Sequence, residues 1–137
     1  MGGFRLGAMV ASALIAMLAT KAALAGAADG VWKTEANDAG GYLEVTIAPC
    51  ASDAQKSCGT ITSAYNKNGP DPKYANLGKL IIKDMSPEGG SKFSGGKIWD
   101  PQDNKTYDSH MTVKGDTLDV EGCVSIFCKG EDWTKVK

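Results

Sequence analysis

Asp100, Gln102, Asp103 and Asn104 crowd four oxygen-bearing side chains into the stretch GGKIWDPQDNKTYDSHM, residues 95–111, which also carries His110, the single histidine of the chain. Oxygen ligands at this density could hold a hard cation, and an acid near a histidine could move protons on a substrate. A calcium loop of the EF-hand type needs glycine at its sixth position and a bidentate glutamate at its twelfth. Counted from Asp100, those positions hold Lys105 and Met111. The pattern fails where it has to be strict. Asp100-Pro101 followed by Asp103-Asn104 is instead what a four- or five-residue hairpin connection prefers. His110 shares its strand face with Asp108 and Thr112, so Ser109 points away from it, and one histidine builds no ordinary zinc centre without carboxylate help. The sixteen acidic residues make carboxylate pairs trivial to find, and none stands in an apolar context that would mark a glycosidase. No catalytic residue, metal or cofactor is predicted, and the chain is read as a non-enzyme.

The four cysteines, Cys50, Cys58, Cys123 and Cys128, offer a second chemistry. Four thiolates could bind zinc, but an even count in an exported chain reads as disulfides, with three pairings open. The local pairing, Cys50 with Cys58 and Cys123 with Cys128, would clip two separate turns. Export is the expectation from the first 25 residues. Arg5 precedes an apolar stretch, Leu6–Ala19, and Ala23-Leu24-Ala25 gives the small-x-small pattern of a signal-peptidase site, so the mature chain is expected to start at Gly26. The stretch is short for a membrane span of ~20 residues. No cysteine stands near the cleavage site and no arginine pair precedes it. The expected location is the bacterial periplasm or the medium.

Past residue 25 the chain holds 13 lysines, no arginine and 16 acidic residues, a net charge of −3. A nucleic-acid binder wants a basic face with arginine forks, so that class is set aside. Residues 26–137 suit a single domain with one modest core.

The elements that must position these groups read as short strands. Tyr42–Ala48 alternates Leu43, Val45 and Ile47 against polar neighbours, and Thr117–Glu121 turns Leu118 and Val120 inward. Val31–Thr34, Gly59–Tyr65, Lys79–Met85, Phe93–Trp99, Thr106–Lys114 and Trp133–Lys137 complete the set. In the third strand Ile61, Ser63 and Tyr65 are assigned to one face. Pro70 and Pro72 break the region 66–78, where a turn of helix is allowed around Lys73–Asn76. About eight short antiparallel strands, with no helical period after the signal segment, predict an all-β fold. An up-and-down barrel is preferred to a sandwich.

Between the last two cysteines lies Val124-Ser125-Ile126-Phe127, an apolar tip. A small domain has little apolar area to spare, which favours folding this tip as a plug over one end of the core. The alternative is a preorganised contact at the barrel mouth. Val124, Ile126 and Phe127, with Trp99, Tyr107 and His110, make up the candidate contact set.

GVWKT at 30–34, CGTI at 58–61, GGKIWDPQDNKTY at 95–107, GDTLDVEGC at 115–123 and CKGEDWTKV at 128–136 together resemble the Domain of Unknown Function 2147 family of exported bacterial proteins. The resemblance runs over the whole of 26–137 and implies a lipocalin-like, calycin-type barrel. It also implies structural roles for Trp32 and Trp133, with Lys135 where the pattern prefers arginine, and makes Asp100-Pro101 a family signature. Paired cysteines belong to one variant of the family. The family has no established activity. By analogy with lipocalin-like barrels, the function expected is binding of a small hydrophobic ligand or an envelope component, by a monomer or weak oligomer. A protein-binding module, such as an inhibitor of a lysozyme or protease, stands second and a hydrolase third.

Overall fold

The computed structural model describes residues 26–137. The expected signal segment, residues 1–25, lies outside them. Nine strands follow in chain order: β1 (Gly30–Lys33), β2 (Tyr42–Pro49), β3 (Ser57–Asn66), β4 (Gly69–Pro70), β5 (Leu80–Pro87), β6 (Lys92–Asp100), β7 (Lys105–Lys114), β8 (Thr117–Val124) and β9 (Phe127–Lys135). Every pairing is antiparallel. Each long strand pairs with its neighbours in sequence, and β1 joins both β2 and β9, so eight strands close into a ring. The two-residue β4 merely extends the end of β3. This is the up-and-down barrel that the alternation predicts, and closure removes most of the exposed edges a flat sheet would leave.

Trp32, Val45, Ile47, Ile61, Ile82, Met85, Phe93, Met111, Leu118, Val120 and Trp133 fill the interior, each at most 2% exposed. Two strands depart from simple alternation. On β3, Glu44 pairs with Ser63 but Val45 pairs with Ile61, so Thr62 is an extra residue. This bulge reverses the phase beyond it: Ala64 is buried, whereas Ser63 and Tyr65, expected beside Ile61 on the inner face, are not. On β5, Ile81 and Ile82 are both buried because the register against β3 also slips there. Gly96 shows how tightly the walls approach: a Cβ there would lie 2.5 Å from the Lys83 carbonyl oxygen and 2.8 Å from Met85 Sδ.

The region 66–78 forms consecutive turns after β4, with no helix around Lys73–Asn76. Tyr74 and Leu77 from it pack against the core. The last strand starts at Phe127, six residues before the expected Trp133, because β9 pairs with β8 along its full length although only Trp133 on it is buried.

Both disulfides take the local pairing. Cys50–Cys58 clips the β2–β3 connection with Cα atoms 4.9 Å apart, and Cys123–Cys128 bridges directly opposed residues of β8 and β9 at 4.0 Å. No described cysteine is free, which overturns the four-thiolate alternative.

Candidate functional site

Antiparallel order puts the β6–β7 hairpin, the β8–β9 hairpin, the turns of 66–79 and the segment 34–41 at one end of the barrel, here called the mouth. The β6–β7 connection is held by its own side chains. Asp100 Oδ1 accepts the Gln102 N–H at 2.8 Å, and Asp103 Oδ1 accepts the Lys105 N–H at 3.0 Å. The Trp99 indole N–H donates to Asn104 Oδ1 at 3.0 Å, and the Tyr107 hydroxyl donates to Asp103 Oδ2 at 2.9 Å. That last bond, above all, keeps the Tyr107 phenol protonated to higher pH than usual. Asp100, Asp103 and Asn104 are thus each engaged within the turn, with Asn104 in the left-handed region at φ 56°.

The β8–β9 hairpin lies beside this turn and ends sooner: Cys123 is level with Asp108, and only Val124 follows before the tip, whereas β7 continues to Lys105. The two-residue tip, Ser125-Ile126, forces Ser125 to φ 56°. Val124, Ile126 and Phe127 are 62%, 85% and 76% exposed. The tip therefore does not plug the core, whose buried members on these two strands are Leu118, Val120 and Trp133. Val124 and Phe127 are opposed and lie on the barrel's inner side, in line with Trp133 on β9. Beneath them, Gly122 leaves room: a Cβ there would meet Ile98 Cγ2 at 3.3 Å and Tyr107 Cβ at 3.5 Å. Tyr107 thus lies near the tip, whereas Trp99 leans on the core with Lys79 Nζ 5.8 Å from its ring centroid. His110 lies on the outer wall, bonded through Nε2 to Glu121 Oε2 at 3.0 Å and with Nδ1 3.8 Å from Cys123 Sγ. The candidate contact set therefore does not come together: Tyr107 stands by the tip, Trp99 leans on the core and His110 lies on the outer wall.

A feature the alternation did not predict lies beside the tip. Strand β1 is so short that it pairs with β9 only at Lys135 and Thr134. Among the described residues, no strand pairs with the other edge of β9 from Phe127 to Asp132. Lys135 donates its N–H to the Asp116 carbonyl on the β8 side, so in an antiparallel ladder the even-numbered residues turn their N–H and C=O groups the other way. Asp132 confirms the phase, giving its N–H to Glu35 Oε2 at 2.7 Å. Cys128 and Gly130 thus present open backbone groups along an exposed edge.

Glu131 faces inward, two residues before Trp133. Its Oε1 accepts the Trp133 indole N–H at 2.8 Å and the Glu35 backbone N–H at 3.2 Å. Desolvation pushes its carboxyl above the ordinary range, with smaller pushes from Glu35 and Asp100, while the two accepted hydrogen bonds pull the other way. Its position two residues before a core tryptophan is the periodic signal that would have found it, had the strand been started early enough.

At the opposite end, Trp32 is fully buried and its indole N–H donates to the Ala28 carbonyl at 2.9 Å. Lys135, its register partner, holds Nζ 5.6 Å from the ring centroid. Pro101 is partly exposed within the mouth turn.

Comparison with known proteins agrees with this architecture. Residues 30–135 match the model of a family described as an uncharacterized protein conserved in bacteria (DUF2147). No curated protein matches the chain. Among solved structures, protein HP1028 from Helicobacter pylori, described as belonging to the lipocalin family, is similar with a TM-score of 0.63 at 18% identity, over 80% of this chain and 82% of that one. At this identity the likeness concerns the fold. The chain belongs to the DUF2147 family and has a lipocalin-like barrel.

Proposed function

From that membership as premise, we propose that this protein is an exported, non-enzymatic binding barrel that takes an extended polypeptide at the mouth, along the free edge of β9. The observation that carries the reading is the juxtaposition of open backbone groups at Cys128 and Gly130 with the exposed apolar tip Val124, Ile126 and Phe127. Strand addition draws affinity from main-chain hydrogen bonds and specificity from pockets for alternate side chains. A tip clipped by a disulfide loses little freedom on binding, so more of the contact energy survives as affinity. Export rests on the signal pattern and on two disulfides, which persist in oxidising compartments.

A hydrophobic ligand inside the barrel is less favoured, because bulky side chains such as Trp32, Phe93, Met85, Met111 and Trp133 occupy the interior. Catalysis draws no support from the mouth acids Asp100 and Asp103, engaged in the turn, or Glu35 and Glu131, bonded across the seam to β9.

The test is a displayed library of extended peptides panned against the protein, followed by hydrogen exchange on the complex. Enriched peptides should alternate apolar residues and slow exchange at the Cys128 and Gly130 amides. Phe127→Asp should abolish binding. Protection confined to interior strands, or native mass spectrometry showing a small apolar molecule carried from the host, would overturn the reading.

A further inference from the structure

The outer wall behind the tip carries a second arrangement, of side chains, that shares with the peptide edge only Cys128, whose backbone serves one and whose sulfur the other. His110, Cys123 and Cys128 bring one nitrogen and two sulfurs within 4.8 Å of one another. In the disulfide form the sulfurs have no thiolate to offer. We propose that reduction of Cys123–Cys128 converts this corner into a binding site for a single thiophilic divalent cation of the zinc class.

The geometry is built for it. His110 lies opposite Glu121 in the β7–β8 register, and Glu121 Oε2 stands 3.0 Å from Nε2. A carboxylate there keeps the proton on Nε2 and leaves the Nδ1 lone pair free, and that is the nitrogen 3.8 Å from Cys123 Sγ. The result is a carboxylate–histidine pair of the kind that orients a metal ligand, aimed at two sulfurs before any metal arrives. Two thiolates and one imidazole make three protein ligands, and water completes the tetrahedron that zinc prefers. Cys128 is exposed, so a reductant reaches the bond from solvent.

The chemistry balances. A dithiol reductant gives two electrons and two protons, ending as its own disulfide, and leaves two thiols on β8 and β9. The cation then displaces the two thiol protons as two metal–sulfur bonds form. The register of β8 against β9 keeps Cys123 and Cys128 opposed after the sulfur–sulfur bond is gone. Reduction therefore frees the ligands without scattering them. The other disulfide, Cys50–Cys58, is grouped only with the Asp84 carboxylate, and Cys50 is buried. That corner lacks an imidazole and supplies an internal control.

The protein, reduced with a phosphine that does not itself compete for metal, is titrated with cobalt(II) and then with zinc. One equivalent of cobalt should bring in thiolate-to-metal charge-transfer absorption, which zinc removes and which the disulfide form never shows. His110→Ala should weaken binding at least tenfold and Glu121→Gln about tenfold. Cys50→Ser/Cys58→Ser should keep the signal, and Cys123→Ser/Cys128→Ser should lose it. If a double variant fails to fold, alkylation of the reduced wild-type chain decides the matter. Zinc should shield Cys123 and Cys128 while Cys50 and Cys58 are labelled. Equal labelling of all four, or binding indifferent to His110→Ala, overturns the proposal.

Discussion

Phe127→Asp and Val124→Asp, made together, should leave the barrel standing while removing its contact surface. The magnitude follows from exposure. Full burial of a phenylalanine or valine side chain is worth about 1.5–3 kcal/mol. Phe127 is already 76% exposed and Val124 62%, so folding removes only about a quarter and two-fifths of each residue from water. Their stake in stability is about 0.4–0.7 and 0.6–1.1 kcal/mol on that scale, or at most about 2 kcal/mol together. A plug in the core would instead cost ~3–5 kcal/mol for the phenylalanine alone when truncated, and more when replaced by a charge. Urea denaturation of wild type and double variant, with the disulfides intact, separates the two. A loss below about 2 kcal/mol with an unchanged slope is the outcome expected for an exposed tip. A loss above 4 kcal/mol, or a chain that does not fold, would refute an outward-standing tip and with it the docking surface.

Other perturbations test other parts of the structure. Replacing Cys50 and Cys58 by serine should cost ~2.5 kcal/mol in the same urea assay, the chain-entropy value for a short closed loop. Gly96→Ala should cost ~2–3 kcal/mol, because its Cβ would fall 2.5 Å from a backbone carbonyl that has nowhere to go. Ser125→Gly should raise stability by ~0.5 kcal/mol, since glycine accepts the φ of 56° that serine resists. Glu131 tests the electrostatics. Its folded pKa is raised, so the native chain binds the proton more tightly, and stability falls as pH climbs from the ordinary carboxylate range through the raised value. Glu131→Gln, which still accepts from Trp133 and Glu35, should flatten that slope and be the more stable form at neutral pH.

What was legible in the chain followed from locality. Asp100–Asn104 announces itself because an Asx side chain bonds to backbone two residues on, whatever the fold around it. Val45, Ile47, Leu118 and Val120 were readable because two faces of unequal polarity repeat every second residue. Ala64 was not, because the extra residue at Thr62 is set by the pairing of β3 with β2 and not by any local preference. The first half of β9 was hidden for a different reason. Lys129 and Glu131 carry charge on its inner side and Gly130 and Asp132 occupy its outer side, so no alternation distinguishes them. The tip's exposure depends on where the β8–β9 ladder ends, one pair beyond Cys123 and Cys128, which composition does not encode.

The shortness of β1 has a mechanical consequence. A rolled sheet is as strong as its seam, and this one is fastened at the Trp32 end by main-chain bonds between Val31 and residues 136 and 137. Towards the mouth, the fastening passes to two reciprocal bonds: the Asp132 N–H donates to the Glu35 carboxylate, and the Glu35 N–H donates to the Glu131 carboxylate. Opening there breaks two side-chain-to-backbone bonds, whereas opening the β6–β7 or β7–β8 wall breaks a long ladder. The ring is therefore closed by fewer main-chain bonds along this half of its seam than along its β6–β7 and β7–β8 walls. Amides flanking these two bonds should exchange at a lower free energy than those of β6 and β7, and the wall next to the tip is the part of the molecule with freedom to yield when something presses in.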